Sequence, residues 1–162
     1  MATFQEHINQ ANCNIAFLQS INQTIDNCID WQVTFAFYTA LHLVNAHISS
    51  NGLQYRRHTD VKDVLNPYNK LSLLKLPEDE YTAYVSLQSL SRRARYLVSE
   101  KDGNIESTTA FLTYEKHLAK ALKHLDMLMQ YFTTKYSFTL PVISVKCSEL
   151  KITPAVRYLQ KK

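Results

Sequence analysis

The chain has 162 residues, of which only two are glycine and four proline, and it carries 18 Lys and Arg against 14 Asp and Glu, a formal net charge of +4. That length suits a single domain with a sizeable core, and so little turn glycine argues against all-β and α/β architectures in favour of long helices. A balance of +4 is ordinary solubilising charge and does not by itself mark a nucleic-acid binder.

Other broad classes are excluded in the same way. No apolar run reaches the roughly 18 residues of a membrane span. The opening MATFQEHINQ has neither the basic nor the apolar segment of a secretory signal. Cys13, Cys28 and Cys147 contain no C-x-x-C pair, which suggests reduced thiols in a cytoplasm rather than a disulfide scaffold or a zinc site. No phosphate-binding glycine loop, zinc-protease helix or nucleophile elbow is present, so no cofactor or metal is predicted.

Charge is unevenly placed. Residues 1–55 hold no Lys or Arg and three acids, Glu6, Asp26 and Asp30, whereas residues 56–162 hold all 18 bases against 11 acids, a net +7. The second part can present a basic face to a polyanion, and the first is composed for packing.

A first helix is predicted from Phe4 to Ile25, with Ile8, Ala11, Ile15, Leu18 and Ile25 as its apolar stripe. Its opposite face is amide-rich (Asn9, Gln10, Asn12, Asn14, Gln19, Asn22, Gln23), either solvated or buried against a partner. A second helix, capped by Asp30 and closed by Asn51-Gly52, is apolar almost all round and belongs in the middle of a bundle. Trp31, Tyr38, His42, Asn45 and Ser49 form its polar-tipped stripe.

Thr59 is expected to cap a short helix that ends at Asn66-Pro67. A fourth helix restarts at Pro77, with Glu78, Asp79 and Glu80 in its first turn, and continues through YVSLQSLSRRARYLV. After a turn at Lys101-Asp102-Gly103-Asn104, the fifth helix is predicted to open at Ser107 or Thr108. Phe111, Leu118, Leu122, Leu125, Met129 and Phe132 are expected on one side, and Lys116, Lys120 and Lys123 with His117 and His124 on a solvated side. Seven helical residues span about 10.5 Å, too far for His117 and His124 to share an ion.

From Tyr136 the pattern alternates, with Ile143, Val145 and Cys147 on one side and Pro141 and Pro154 barring helix. The fold class is therefore all-α: an antiparallel up-and-down bundle of four to five helices over residues 1–135. Residues 136–162 form an extended arm laid over the bundle or over a second subunit.

Arg92, Arg93 and Arg95, followed by Tyr96, admit three readings. They can complement the dipole at a helix end. They can grip phosphate beside a stacking ring, with Lys116, Lys120 and Lys123 extending an RNA- or nucleotide-binding face. Alternatively, Arg95 can be a half-buried partner of Asp26, Asp30 or His42 that organises a pocket lined by Tyr38, His42 and Tyr84.

The helix containing Trp31, Phe37-Tyr38, Ala40, His42 and Ala46, followed by a loop ending in His58 and a helix carrying Ser91-Arg92 and Ala94-Arg95-Tyr96, resembles the HEPN family (higher eukaryote and prokaryote nucleotide-binding). The resemblance covers residues 4–132. It implies a helical bundle, usually a homodimer, and many such proteins are metal-independent ribonucleases of toxin–antitoxin or defence systems. The family's Arg, followed four to six residues later by His, is missing, since no histidine comes between Arg95 and His117. The resemblance therefore implies a non-catalytic module that binds RNA, a nucleotide or a partner protein. The enzymatic alternative is a ribonuclease or nucleotidyl-transfer site rearranged around His42, His58 and Arg95, with histidine moving the proton and arginine holding the charge.

Overall fold

The computed structural model describes residues 1–99 and 110–162. Helix α1 spans Phe4–Thr24 and opens with a capping box: Glu6 N–H donates to the Thr3 hydroxyl (3.2 Å) and Thr3 N–H to the Glu6 carboxylate (2.7 Å). Ile8, Ala11, Ile15 and Leu18 are buried as their spacing predicts, while Ile25 lies beyond the helix and is exposed.

Helix α2, Ile29–Ser49, is the central element and packs on α1, α4 (Glu78–Tyr96) and α5 (Glu115–Tyr136). Val33, Ala36, Phe37, Ala40, Leu43 and Val44 are fully enclosed, which is why a helix this apolar is stable here. Side chains meet at His7–His42, Phe17–Phe35 and Asn22–Gln32, so α1 and α2 run antiparallel. Among the described residues the protein is an all-α bundle of five helices, the short α3 (His58–Leu65) included.

Several boundaries differ from expectation. Cys28, not Asp30, holds the cap position of α2, and α3 begins at His58 rather than after a Thr59 cap. Pro77 stands just outside α4, whose end is set by Leu97 in the left-handed conformation (φ 56°). Helix α5 starts at Glu115. Phe111 therefore precedes it and packs under the Arg93 guanidinium instead of joining the helical stripe. The turn predicted at residues 101–104 and the helix start predicted at Ser107 or Thr108 lie outside the described residues.

The segment after α5 folds back onto its own bundle. Strands β1 (Ile143–Val145) and β2 (Leu159–Lys161) pair in parallel, with Ile143 opposite Leu159 and Val145 opposite Lys161. Leu140, Ile143, Val145, Cys147, Leu150 and Leu159 join the same core as the helices, so the alternation of Ile143, Val145 and Cys147 is a buried face.

The edge of β1 away from β2 is paired by side chains of α1. Ser144 N–H donates to Gln19 Oε1 (2.9 Å) and Lys146 N–H to Asn22 Oδ1 (2.7 Å). Asn22 Nδ2 returns a bond to the Lys146 carbonyl (2.9 Å) and another to Gln32 Oε1 (2.8 Å), while Gln23 reaches the Ser144 carbonyl (3.4 Å). The amide face of α1 thus acts as a substitute third strand.

A second latch holds the other end of the arm. The buried Asp126 carboxylate accepts from Tyr158 N–H (2.6 Å), Arg157 N–H (3.1 Å) and Gln130 Nε2 (2.6 Å). Near the start of α5, Glu115 accepts from the Ser148 backbone (2.8 Å) and its hydroxyl.

Asn22→Asp keeps the acceptor for Lys146 N–H but sets a carboxylate against the Lys146 carbonyl and Gln32 Oε1. This substitution should cost about 2 kcal/mol in urea unfolding. Amide exchange should accelerate at Ser144 and Lys146 before the bundle opens, and unchanged exchange there would show that the amide pairing does not hold the arm.

Candidate functional site

The three arginines all lie in the last turns of α4, yet they do different things. Arg93 ties the chain after the helix: its Nε and Nη2 both donate to the Leu112 carbonyl (3.0 and 2.7 Å), its guanidinium lies 5.5 Å from the Phe111 ring, and Phe111 N–H bonds the Leu97 carbonyl (2.8 Å). Arg92 is exposed. Arg95 is half-buried against α2, with its guanidinium carbon 5.8 Å from the Tyr38 ring and 5.1 Å from the Tyr96 ring. Its Nη1 donates to the Tyr38 hydroxyl (3.4 Å) and its Nε to the Ser91 carbonyl (3.3 Å).

Beside Arg95 is a cleft of about 260 Å³ lined by Asp30, Trp31, Thr34, Ala94 and Arg95. Trp31 and Tyr96, 57% and 62% exposed, present aromatic surface at its edge. Asp30 lines the same cleft as Arg95. His58, at the start of α3, lies against Phe37 with ring centroids 5.7 Å apart. Partial desolvation, and then the Arg95 charge, hold it below the ordinary imidazole value. Arg95 and His58 are thus brought within electrostatic reach of each other.

His42 is placed elsewhere. Its Nδ1 is 3.1 Å from the Nδ1 of His7 on α1, so one ring must donate and the other accept. Burial, with His7 adding to it, holds His42 down at about 4. Nothing in the sequence joined these two residues, which are 35 positions apart. Tyr84 is buried in the core near Phe37 (6.2 Å), with its hydroxyl unpartnered and its ionisation pushed far up by burial. Tyr38 and Tyr84 thus meet the same Phe37 ring, at 5.4 and 6.2 Å, whereas His42 is turned to His7 on α1.

The lysines of α5 are also divided. Lys116 lies over the Tyr114 ring (5.9 Å) in a depression with Glu115 and Glu149. Lys123 lines a larger groove beneath the C-terminal arm, and Lys120 is exposed. The solvated face expected for the histidines of α5 is not observed. His117 is buried and accepts from Tyr114 N–H (2.9 Å) at the helix start, and His124 is half-buried.

Among the described residues no group of three or more His, Cys, Asp or Glu is placed to hold a metal, and no helix is long and apolar enough to cross a membrane. Compared with protein-family models, curated proteins and solved structures, the chain gives no match.

His7, His42, His47, His58 and His124 are all held below the ordinary value, first by burial. Above pH 6.5 folded and unfolded chains are alike neutral at these rings. From 6.5 down to about 4 the unfolded chain binds more protons than the folded one, so acid progressively removes stability. The melting temperature should fall across that window, and His42→Gln should flatten the fall. A variant with an unchanged slope would show that His42 titrates alike in both states.

Tyr84→Phe removes a buried hydroxyl that has no partner and should leave stability unchanged or raise it by about 1 kcal/mol in urea unfolding. A clear loss would mean that the hydroxyl is hydrogen-bonded in solution.

Proposed function

We propose that this protein is a non-catalytic module that binds RNA or a nucleotide at the cleft between α2 and α4. The observation that carries this reading is the Arg95 guanidinium, held against the rings of Tyr38 and Tyr96 and opening beside Trp31. A half-buried arginine fixed by aromatic faces is preorganised for a phosphate, and the exposed rings of Trp31 and Tyr96 are stacking platforms for bases. Arg92 adds an exposed cation to the same helix end. Arg93 plays no part in this grip, because its fork is directed at the Leu112 carbonyl.

The protein acts as a homodimer in this reading. Phe17 and Phe35 stack at 5.5 Å on the outer side of α1 and α2, on a part of the chain that carries no basic residue. An aromatic surface without like charges favours association of identical copies. The family resemblance supports the same arrangement and a place in a toxin–antitoxin or defence system, with a partner protein as a further ligand.

One observation favours a second reading as a metal-independent ribonuclease. His58, held below the ordinary imidazole value by partial burial and then by the Arg95 charge, sets a base within electrostatic reach of a cation. His42 does not contribute, since it is paired with His7.

A single gel of labelled structured RNA incubated without metal separates these readings. Retention without cleavage is expected, weakened about tenfold or more by Arg95→Ala and by Trp31→Ala, since stacking on one ring is worth about 1–3 kcal/mol per base. Cleavage lost in both Arg95→Ala and His58→Ala would establish the ribonuclease. Neither retention nor cleavage would overturn both, leaving the helix-end role of the arginines and a protein partner.

A further inference from the structure

A second concavity is larger than the Arg95 cleft. It is an open groove of about 1000 Å³ running along α5 beneath the C-terminal arm. Met127 and Tyr131 of α5 form its floor, and Ala155 and Val156 of the arm form the facing wall. Lys123 and Lys135 stand at its two ends on α5, and Arg157 projects from the arm side. Twelve helical residues separate the two lysines, a length of about 18 Å.

The electrostatics of this region are one-sided. Residues 115–162 contain nine bases and three acids, so 9 − 3 gives +6 where the whole chain carries +4. Two of the three acids face inward onto the arm: Asp126 receives the Arg157 and Tyr158 amides, and Glu115 receives Ser148. The Asp126 contacts shape the groove and take that carboxylate away from any ligand, while Glu115 stands outside the groove in the depression with Lys116. Glu80 is the acid that remains on the rim.

We infer that this groove is a docking site for an acidic amphipathic helix of a partner protein. The partner's apolar face would seat on Met127, Ala155 and Val156, and its carboxylates would meet Lys123, Lys135 and Arg157. An 18 Å floor accommodates about 12 helical residues. Met127, 38% exposed, supplies the adaptable thioether surface such grooves use.

Charge alone would also attract RNA, but the floor does not suit bases. Tyr131 is packed edge-on against Phe132 (5.0 Å), and the Lys135 ammonium sits over its ring at 5.4 Å and bonds its hydroxyl at 3.1 Å. Its face is therefore already covered, and Met127, Gln130, Thr134, Thr153, Ala155 and Val156 offer no further ring on which a base could stack.

The test is selection of a displayed library of random 12-residue peptides on the full-length protein, followed by fluorescence anisotropy of the enriched peptides. A 20-nucleotide uridine RNA is measured in parallel. The expected result is enrichment of net-acidic sequences with apolar residues at i and i+3 or i+4, whose affinity falls about tenfold or more in Lys123→Glu and in Met127→Glu. Both positions are exposed, and Lys135→Glu replaces either variant if its thermal melt shifts. Enriched peptides without acidic bias, or indifferent to these substitutions, would overturn the proposal. So would RNA binding that these substitutions abolish, which would assign the groove to nucleic acid. The Arg95 cleft is untouched by the variants, so the two sites fail or stand separately.

Discussion

The fold depends on a row of side-chain amides doing the work of backbone. A strand sends its N–H groups alternately to either edge, and β1 has a strand partner on one edge only. Ile143 N–H meets the Tyr158 carbonyl of the β2 side, while Ser144 and Lys146 face α1 and would otherwise be unpaired. Gln19, Asn22 and Gln23 lie at i, i+3 and i+4, and so share one helix face. Two residues of strand advance about 6.7 Å and one helical turn about 5.4 Å, close enough for flexible amide side chains to span the difference. An amide carries both donor and acceptor, so Asn22 can answer Lys146 N–H and C=O together. No carboxylate or ammonium could do so. That requirement gives a physical reason for the absence of Lys and Arg from α1, where a cation facing the strand would satisfy carbonyls and leave the amides stranded.

Once the strand is fixed on α1, the rest of the arm crosses to α5, and the charge pattern follows. Asp126 and Glu115 spend their carboxylates on arm backbone, with the Glu115 pKa lowered chiefly by the Ser148 hydroxyl and backbone. The nine bases of residues 115–162 are all exposed at the surface. A chain with a modest overall charge thereby acquires a strongly basic flank and a neutral aromatic one. The electrostatic asymmetry is thus a consequence of anchoring the arm with acids as well as amides.

Much of this architecture was legible in the residues. The 3- and 4-residue spacing of Ile8, Ala11, Ile15 and Leu18 marked the buried side of α1, and the all-round apolarity of α2 marked the bundle centre. The amide face of α1 was legible as a surface cheap to bury, but not its occupant, because the complementary strand is more than 120 positions away. The β1–β2 ribbon was hidden for the same reason: three-residue strands carry almost no periodic signal, and their pairing is set by tertiary contact. His7 and His42 are unremarkable separately and become a pair only through the antiparallel packing of α1 on α2. Phe111 falls in register with Leu118 and so reads as helical, while Arg93 and the Leu97 carbonyl hold residues 111–112 outside the helix.

The cluster of three arginines shows why composition within a short motif does not define a site. A helix turns 100° per residue, so Arg93 points 200° away from Arg95 and 100° away from Arg92. Arg93 meets residues 111–112, Arg95 meets α2, and Arg92 meets solvent. What makes Arg95 distinctive comes from α2, where Trp31 and Tyr38, seven apart, share a face with Thr34 between them. The polar-tipped stripe of α2 consequently divides: its first two turns face the arginine, and His42, one turn on, faces α1. A cation clamped by rings and a histidine pair therefore arise from one continuous stripe, separated by which helix crosses α2 at each height.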